Sequence, residues 1–289
     1  MKFGFALVLV ALLALGLSAA CSPLRTFNAL APRDPGGERV ASDVPYAAGE
    51  RQMLDIYAPE GTVQDAPVVV FFYGGSWNSG TREGYDFVGR ALASRGFVAV
   101  VPDYRLVPEV RYPAFVEDGA AAVRWTRANV ARYGGDPDKI VLMGHSAGGY
   151  IAAMLAVDDR WLGADRAGVR GLVGLAGPYD FAPFDPGAAQ EAFGRWPDPS
   201  ETQPVTWAGA GDPPALLLTG ADDETVRPRN SYALAERLQA AGVPAQVREY
   251  PGVAHINILL ALSRPLRGRA STLDDASVFI RSVTADRQD

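Results

Sequence analysis

An α/β fold, with one mostly parallel central sheet and helices on both faces, is predicted for this 289-residue chain by three observations. Short apolar runs with no polar alternation recur from residue 68 onward, as strands buried on both faces require. Helix-length stretches alternate with them, the pattern of a parallel sheet with crossover helices. One apolar run, residues 139–143, passes through Gly144-His145-Ser146-Ala147-Gly148 directly into a second helix-forming stretch.

Along the chain, Met53-Leu54-Asp55-Ile56-Tyr57 alternates as a half-buried strand does. Residues 68–73 are a continuous apolar strand, followed by a helix over 85–94 and a strand over 97–101. Pro113 opens a long helix to residue 133, with Val116, Ala120, Val123 and Trp125 at its apolar positions. The strand over 139–143 and the helix over 149–156 flank Ser146. Later strands are predicted at 169–175, 215–219 and 246–250. A helix over 230–241 separates the last two, and a final helix covers 273–283. Right-handed crossovers fix the winding. Residues 181–212 break the alternation. Their Pro, Gly, Phe and Trp content is too irregular for the sheet and too apolar for a linker, so a small lid-like insertion is expected there.

Apolar residues make up 48 % of the chain, enough for a sizeable core. The formal net charge is −6 and no long basic run occurs, which argues against a nucleic-acid partner. The single cysteine excludes an intrachain disulfide. Two histidines, with no CxxC or HExxH, leave little for a metal site, and no cofactor is expected. Lys2 followed by the uncharged apolar run 3–20 reads as an export signal. Its end, Leu17-Ser18-Ala19-Ala20-Cys21, is similar to a bacterial lipobox, although the leucine lies one place further from the cysteine than usual. That likeness implies lipidation of Cys21, a membrane anchor in the cell envelope and, with Ser22 rather than Asp next, the outer membrane in a Gram-negative cell. An ordinary signal peptide or an uncleaved anchor is the alternative. Residues 1–21 are thus read as leader, 22–45 as a flexible tether rich in Pro, Gly and Arg, and 46–289 as the catalytic domain.

Strand, G-x-S-x-G, helix places Ser146 on a sharp turn with its Oγ exposed. Acyl transfer by such a serine needs a base and an anion to orient it. His145 adjoins the serine and should point elsewhere, which leaves His255, on the loop that follows Pro251-Gly252, as the base. The anion is expected on the loop after strand 215–219, where Asp222, Asp223 and Glu224 compete. Oxyanion donors are expected at the backbone of Ala147 and in Tyr73-Gly74-Gly75-Ser76-Trp77. There Gly75 and Ser76 are the candidates and Gly74 shapes the turn. The order serine, acid, histidine differs from that of chymotrypsin-type and subtilisin-type enzymes.

Three blocks carry a family resemblance. They are Tyr73-Gly74-Gly75-Ser76-Trp77, Asp103-Tyr104-Arg105-Leu106-Val107-Pro108-Glu109 with Tyr112-Pro113-Ala114 and Glu117-Asp118-Gly119, and Tyr133-Gly134-Gly135-Asp136-Pro137-Asp138-Lys139-Ile140. With them the chain resembles the α/β-hydrolase superfamily, in its hormone-sensitive-lipase-like and feruloyl-esterase-like carboxylesterase branch, over residues 50–260. The family's spacing, three residues after a glycine and three before a valine, implies Asp223 as the acid. The family's first-motif histidine is Tyr73 here, a departure that touches the oxyanion loop. Asp103, Arg105, Glu109 and Asp118 are implied to brace loops by ion pairs. The resemblance implies a serine hydrolase of small carboxylic esters, working through an acyl-enzyme with Ser146, Asp223 and His255. Trp77, Phe181, Phe184 and Trp207 are candidates for its substrate pocket. An amidase or formamidase, a sugar or feruloyl esterase, and a non-enzymatic binding scaffold are the rival readings.

Overall fold

The computed structural model describes residues 23–285. The leader, Cys21 and the first tether residue lie outside them. In chain order the strands are β1 (Gly37–Pro45), β2 (Met53–Pro59), β3 (Ala66–Phe72), β4 (Val98–Pro102), β5 (Gly135–His145), β6 (Val169–Leu175), β7 (Ala215–Gly220) and β8 (Ala245–Tyr250). They form one eight-stranded sheet in the order β1-β2-β4-β3-β5-β6-β7-β8. β1 and β2 are antiparallel to their neighbours, and every pairing from β4 through β8 is parallel. The expected α/β-hydrolase fold is the fold observed.

The helices are α1 (Pro23–Leu30), α2 (Asp86–Ala93), α3 (Ala114–Asn129), α4 (Ala147–Val157), α5 (Asp159–Leu162), α6 (Ala188–Phe193), α7 (Pro204–Trp207), α8 (Arg229–Ala240), α9 (His255–Leu260) and α10 (Thr272–Thr284). α2 and α10 meet over one face of the sheet, while α3, α4 and α8 cover the other. β3 and β4 are apolar throughout because both faces are covered. α4 is buried at every position, which explains its lack of an amphipathic pattern.

Two expectations need correction. Residues 23–45, read as a tether, hold α1 and the edge strand β1. β1 is mostly exposed, so its sequence carries no run of apolar residues to announce it. What fixes it is ladder pairing to β2 and charge: Asp43 N–H donates to Asp55 Oδ1 at 3.0 Å, and Arg39 pairs with Asp55 at 3.3 Å. His255, placed on a loop from sequence, is the first residue of the short helix α9. Residues 181–212 carry α6 and α7 beside the carboxyl ends of the strands.

Candidate active site

Ser146 links β5 to α4 with φ 53° and ψ −123°, a conformation that costs a residue bearing Cβ on the order of 1–3 kcal/mol. The turn holds because Ser146 N–H donates to Leu175 O at 2.9 Å and its carbonyl accepts from Tyr150 N–H at 3.0 Å. The flanking glycines have a steric cause. A Cβ on Gly144 would lie 2.2 Å from Gly148 O, and one on Gly148 would lie 2.1 Å from Phe72 O.

α9 brings His255 back over the sheet's carboxyl edge. Its Nε2 lies 2.9 Å from Ser146 Oγ and its Nδ1 2.7 Å from Asp223 Oδ2. Asp223 turns in place because its Oδ1 accepts the N–H groups of Thr225 and Val226 at 2.9 and 2.8 Å. That leaves Oδ2 for the imidazole. Asp222 and Glu224, the competing carboxylates, are exposed. The structure therefore brings Ser146, His255 and Asp223 into one hydrogen-bonded chain. A hydroxyl against an unprotonated imidazole nitrogen, with the other nitrogen on a buried carboxylate, can lose its proton as it attacks an electrophile.

His145 does not leave the site, contrary to its expected direction. Its Nε2–H donates to the carbonyl of His255 at 3.1 Å, and the two rings lie 4.8 Å apart. Burial, then the neighbouring His255, push its pKa down to about 3. Its Nδ1 has no hydrogen-bond partner among the described residues. It faces Gly74, where a Cβ would stand 2.8 Å from it.

The loop after β3 turns through three positive φ values, 134° at Gly75, 50° at Ser76 and 59° at Trp77. Gly75 O accepts from the N–H groups of Asn78 and Ser79, both at 3.0 Å. Ala147 opens α4, so its N–H belongs to the first turn and has no intrahelical acceptor. Ser76 and Ala147 share with Ser146 the lining of a chamber of about 190 Å³. Gly75 lines a different cavity, on the other side of the loop.

Tyr73, the family's histidine position, is locked into this loop. Its ring is stacked between Tyr85 and Tyr104 at 5.1 and 4.8 Å, and its hydroxyl donates to Asp103 at 2.7 Å. Tyr104 and Tyr85 hydroxyls in turn donate to the carbonyls of Tyr73 and Gly74. Asp103 and Asp118 brace loops as expected, through Arg82 and Arg105 respectively.

Of the four aromatic residues expected in a pocket, Trp77 and Phe181 line the chamber, with their rings stacked at 6.0 Å. Phe184 sits behind, against Phe181 and Phe193, each at 5.5 Å. Trp207 is elsewhere: its indole N–H donates to Glu201 O at 2.8 Å and its ring lies under the Arg160 guanidinium. The chamber also uses Pro178 and Val226, which no sequence signal marked as pocket residues. Past these residues it opens into a polar cavity of about 520 Å³ edged by Glu224, Arg227 and Arg229.

A family model described as BD-FAE matches residues 54–238. The chain is similar to the isoprenylcysteine alpha-carbonyl methylesterase ICME of Arabidopsis thaliana, at 28 % identity over 84 % of this chain and 62 % of that protein. It therefore spans less than two thirds of that relative's length. It is 33 % identical to the carboxylesterase NlhH of Mycobacterium tuberculosis, over 75 % of this chain and 74 % of that one. Among solved structures it resembles Thermogutta terrifontis esterase 2 phosphoramylated by tabun. The TM-score there is 0.70 at 26 % identity, covering 89 % of this chain and 98 % of that one.

Proposed function

The chain belongs to the BD-FAE family, within the esterase branch of the α/β-hydrolases, and from that premise we propose that it is a serine carboxylesterase acting through an acyl-enzyme. The observation that carries the reading is the continuous chain from Ser146 Oγ through His255 to Asp223. Ser146 attacks the ester carbonyl and passes its proton to His255 Nε2, and Asp223 stabilises the imidazolium that forms. The N–H groups of Ser76 and Ala147, which border the chamber, hold the oxyanion, with Gly75 setting the loop's turn or adding a third donor. Collapse of the tetrahedral intermediate expels the alcohol, which takes the proton from His255. Water then repeats the sequence to release the acid. A chamber of about 190 Å³ against Trp77 and Phe181 favours short acyl groups. The related carboxylesterases and the tabun-modified esterase support an activated serine and a small ester as substrate.

Hydrolysis of p-nitrophenyl esters from acetate to palmitate tests this. Activity is expected to peak at short acyl chains, and Ser146→Ala is expected to lower kcat by on the order of 10⁶. A Ser146→Ala enzyme that retains activity would remove the reading. Envelope anchoring through Cys21 belongs to the same proposal and rests on the Leu17–Cys21 motif alone. Cys21→Ser should then move the protein from the membrane fraction to the soluble one. Retention in the membrane would refute lipidation.

A further inference from the structure

A second cavity, of about 360 Å³ and almost wholly apolar, lies on the opposite side of the oxyanion loop from the chamber. Its floor is the backbone of Gly74 and Gly75. One wall is Leu24 and Phe27, three residues apart on one face of α1; the other is Ile256 and Leu260, four apart on one face of α9. α1 is fixed there: Phe27 packs edge-on against Phe87 at 5.6 Å. Asn28 ties it at two further points, donating to Glu83 O and accepting from Phe87 N–H, both at 2.9 Å. Ile256 directly follows the base His255 yet leaves 46 % of its surface to solvent. Ile256 is not exposed singly but forms part of a contiguous apolar cavity with Leu24, Phe27 and Leu260, the kind of surface that takes an apolar occupant.

We propose that this groove is the alcohol subsite, and that the substrates are esters whose alcohol carries an apolar chain. The inference rests on the esterase reading above and deepens it. When the tetrahedral intermediate collapses, the bond from Ser146 Oγ to the carbonyl carbon stays. The bond to the alkoxy oxygen breaks, its electron pair remains on that oxygen, and the oxygen takes the proton from His255 Nε2. The leaving oxygen must therefore come within reach of Nε2. The acyl group, still bonded to Ser146, stays in the chamber that Ser146 lines. The alcohol departs on the side of His255, where the next residue along α9 is the groove's wall. The N-terminal helix is on this view part of the substrate site.

Two ester series on the full chain test it: acetates of methanol to octanol, and methyl esters of acetate to octanoate. Along the alcohol series kcat/KM is expected to rise about three- to fourfold per methylene until the groove is filled. Leu24→Ala with Phe27→Ala, and separately Leu260→Ala on the opposite wall, should each lower the octyl-to-methyl ratio of the acetates at least tenfold. Both should leave the corresponding acyl-series ratio unchanged. Because each ratio is taken within one preparation, partial loss of folded enzyme cancels. A wild-type alcohol series that is flat overturns the proposal, as does an effect of these variants on the acyl series instead. Failure to hydrolyse every ester in both series overturns the esterase reading itself, an outcome distinct from a flat alcohol series.

Discussion

Between nucleophile and base runs a second connection, through His145. It is the last residue of β5, immediately before Ser146, and its Nε2–H donates to the carbonyl of His255. A ring whose pKa is held near 3 stays neutral in the folded protein, whereas the same residue in the unfolded chain protonates below about pH 6.5. The unfolded state therefore binds more protons across this window. The stability that depends on it is complete above pH 6.5 and is lost as pH falls towards 3. His145→Gln, which cannot titrate, should lose less stability than wild type on acidification. Urea denaturation at pH 7 and pH 5 should show the gap between the two proteins narrowing by about 2 kcal/mol. Parallel behaviour would refute the assignment. Gly74 is bounded by the same ring. A Cβ there would stand 2.8 Å from His145 Nδ1 and 3.0 Å from Ser146 Cβ, so Gly74→Ala must displace either the oxyanion loop or the nucleophile. A displacement near 1 Å costs roughly 10² in rate, and kcat should fall by that order, with the melting temperature lowered by about 2–10 °C through the same overpacking.

At the scale of elements, the antiparallel edge of the sheet is joined to the oxyanion loop by Arg82. Its buried side chain pairs with Asp55 on β2 at 3.0 Å, with Asp103 just after β4, and with Asp43 on β1. Asp103 in turn receives the Tyr73 hydroxyl. Without the Arg82 side chain, Asp55 keeps the partly exposed Arg39, and Asp103 keeps the Tyr73 hydroxyl and Arg51 at 3.8 Å, so both buried carboxylates lose their best-placed cation, a loss of up to about 3–5 kcal/mol. Arg82→Leu should show that loss in chemical denaturation, and a value under about 1 kcal/mol would mean the carboxylates find other partners. This network also explains why Tyr73 can stand where the family carries a histidine. The aromatic stack of Tyr85, Tyr73 and Tyr104 and the bond to Asp103 fix the loop by different contacts.

For the molecule as a whole, the segment before Met53 is structural. α1 and β1 close the antiparallel edge and one wall of the groove. Removing residues 1–45 would bare the β2 edge and strand the Asp55 carboxylate with one fewer cation. Such a chain should aggregate or unfold at markedly lower denaturant than residues 22–289, as paired light-scattering and urea experiments would show. Equal behaviour of the two would restore the tether description. The parallel core was legible because strands covered on both faces must be apolar throughout: residues 68–73 and 97–101 read as strands with no other information, and they overlap β3 and β4. The placement of Ser146 was legible because close backbone approach allows only glycine at 144 and 148. The scarcity of histidine pointed to His255, whereas Asp223 stood out from Asp222 and Glu224 only through the spacing that the family resemblance implies.

Other features depended on distance in space rather than order in sequence. β1 is exposed and held by partners on β2 and at Arg82, so its own residues carry no periodic signal. Trp207 and Trp77 look alike in the chain, yet one is turned to Glu201 and Arg160 and the other to the serine. The sequence by itself determined the sheet's core and the glycine-flanked turn that carries Ser146, because burial and steric crowding restrict residue type locally. Only the tertiary structure decided that His145 supports His255, and that α1 and α9 enclose an apolar groove beside it. Those contacts join residues more than a hundred positions apart and leave no pattern within either segment.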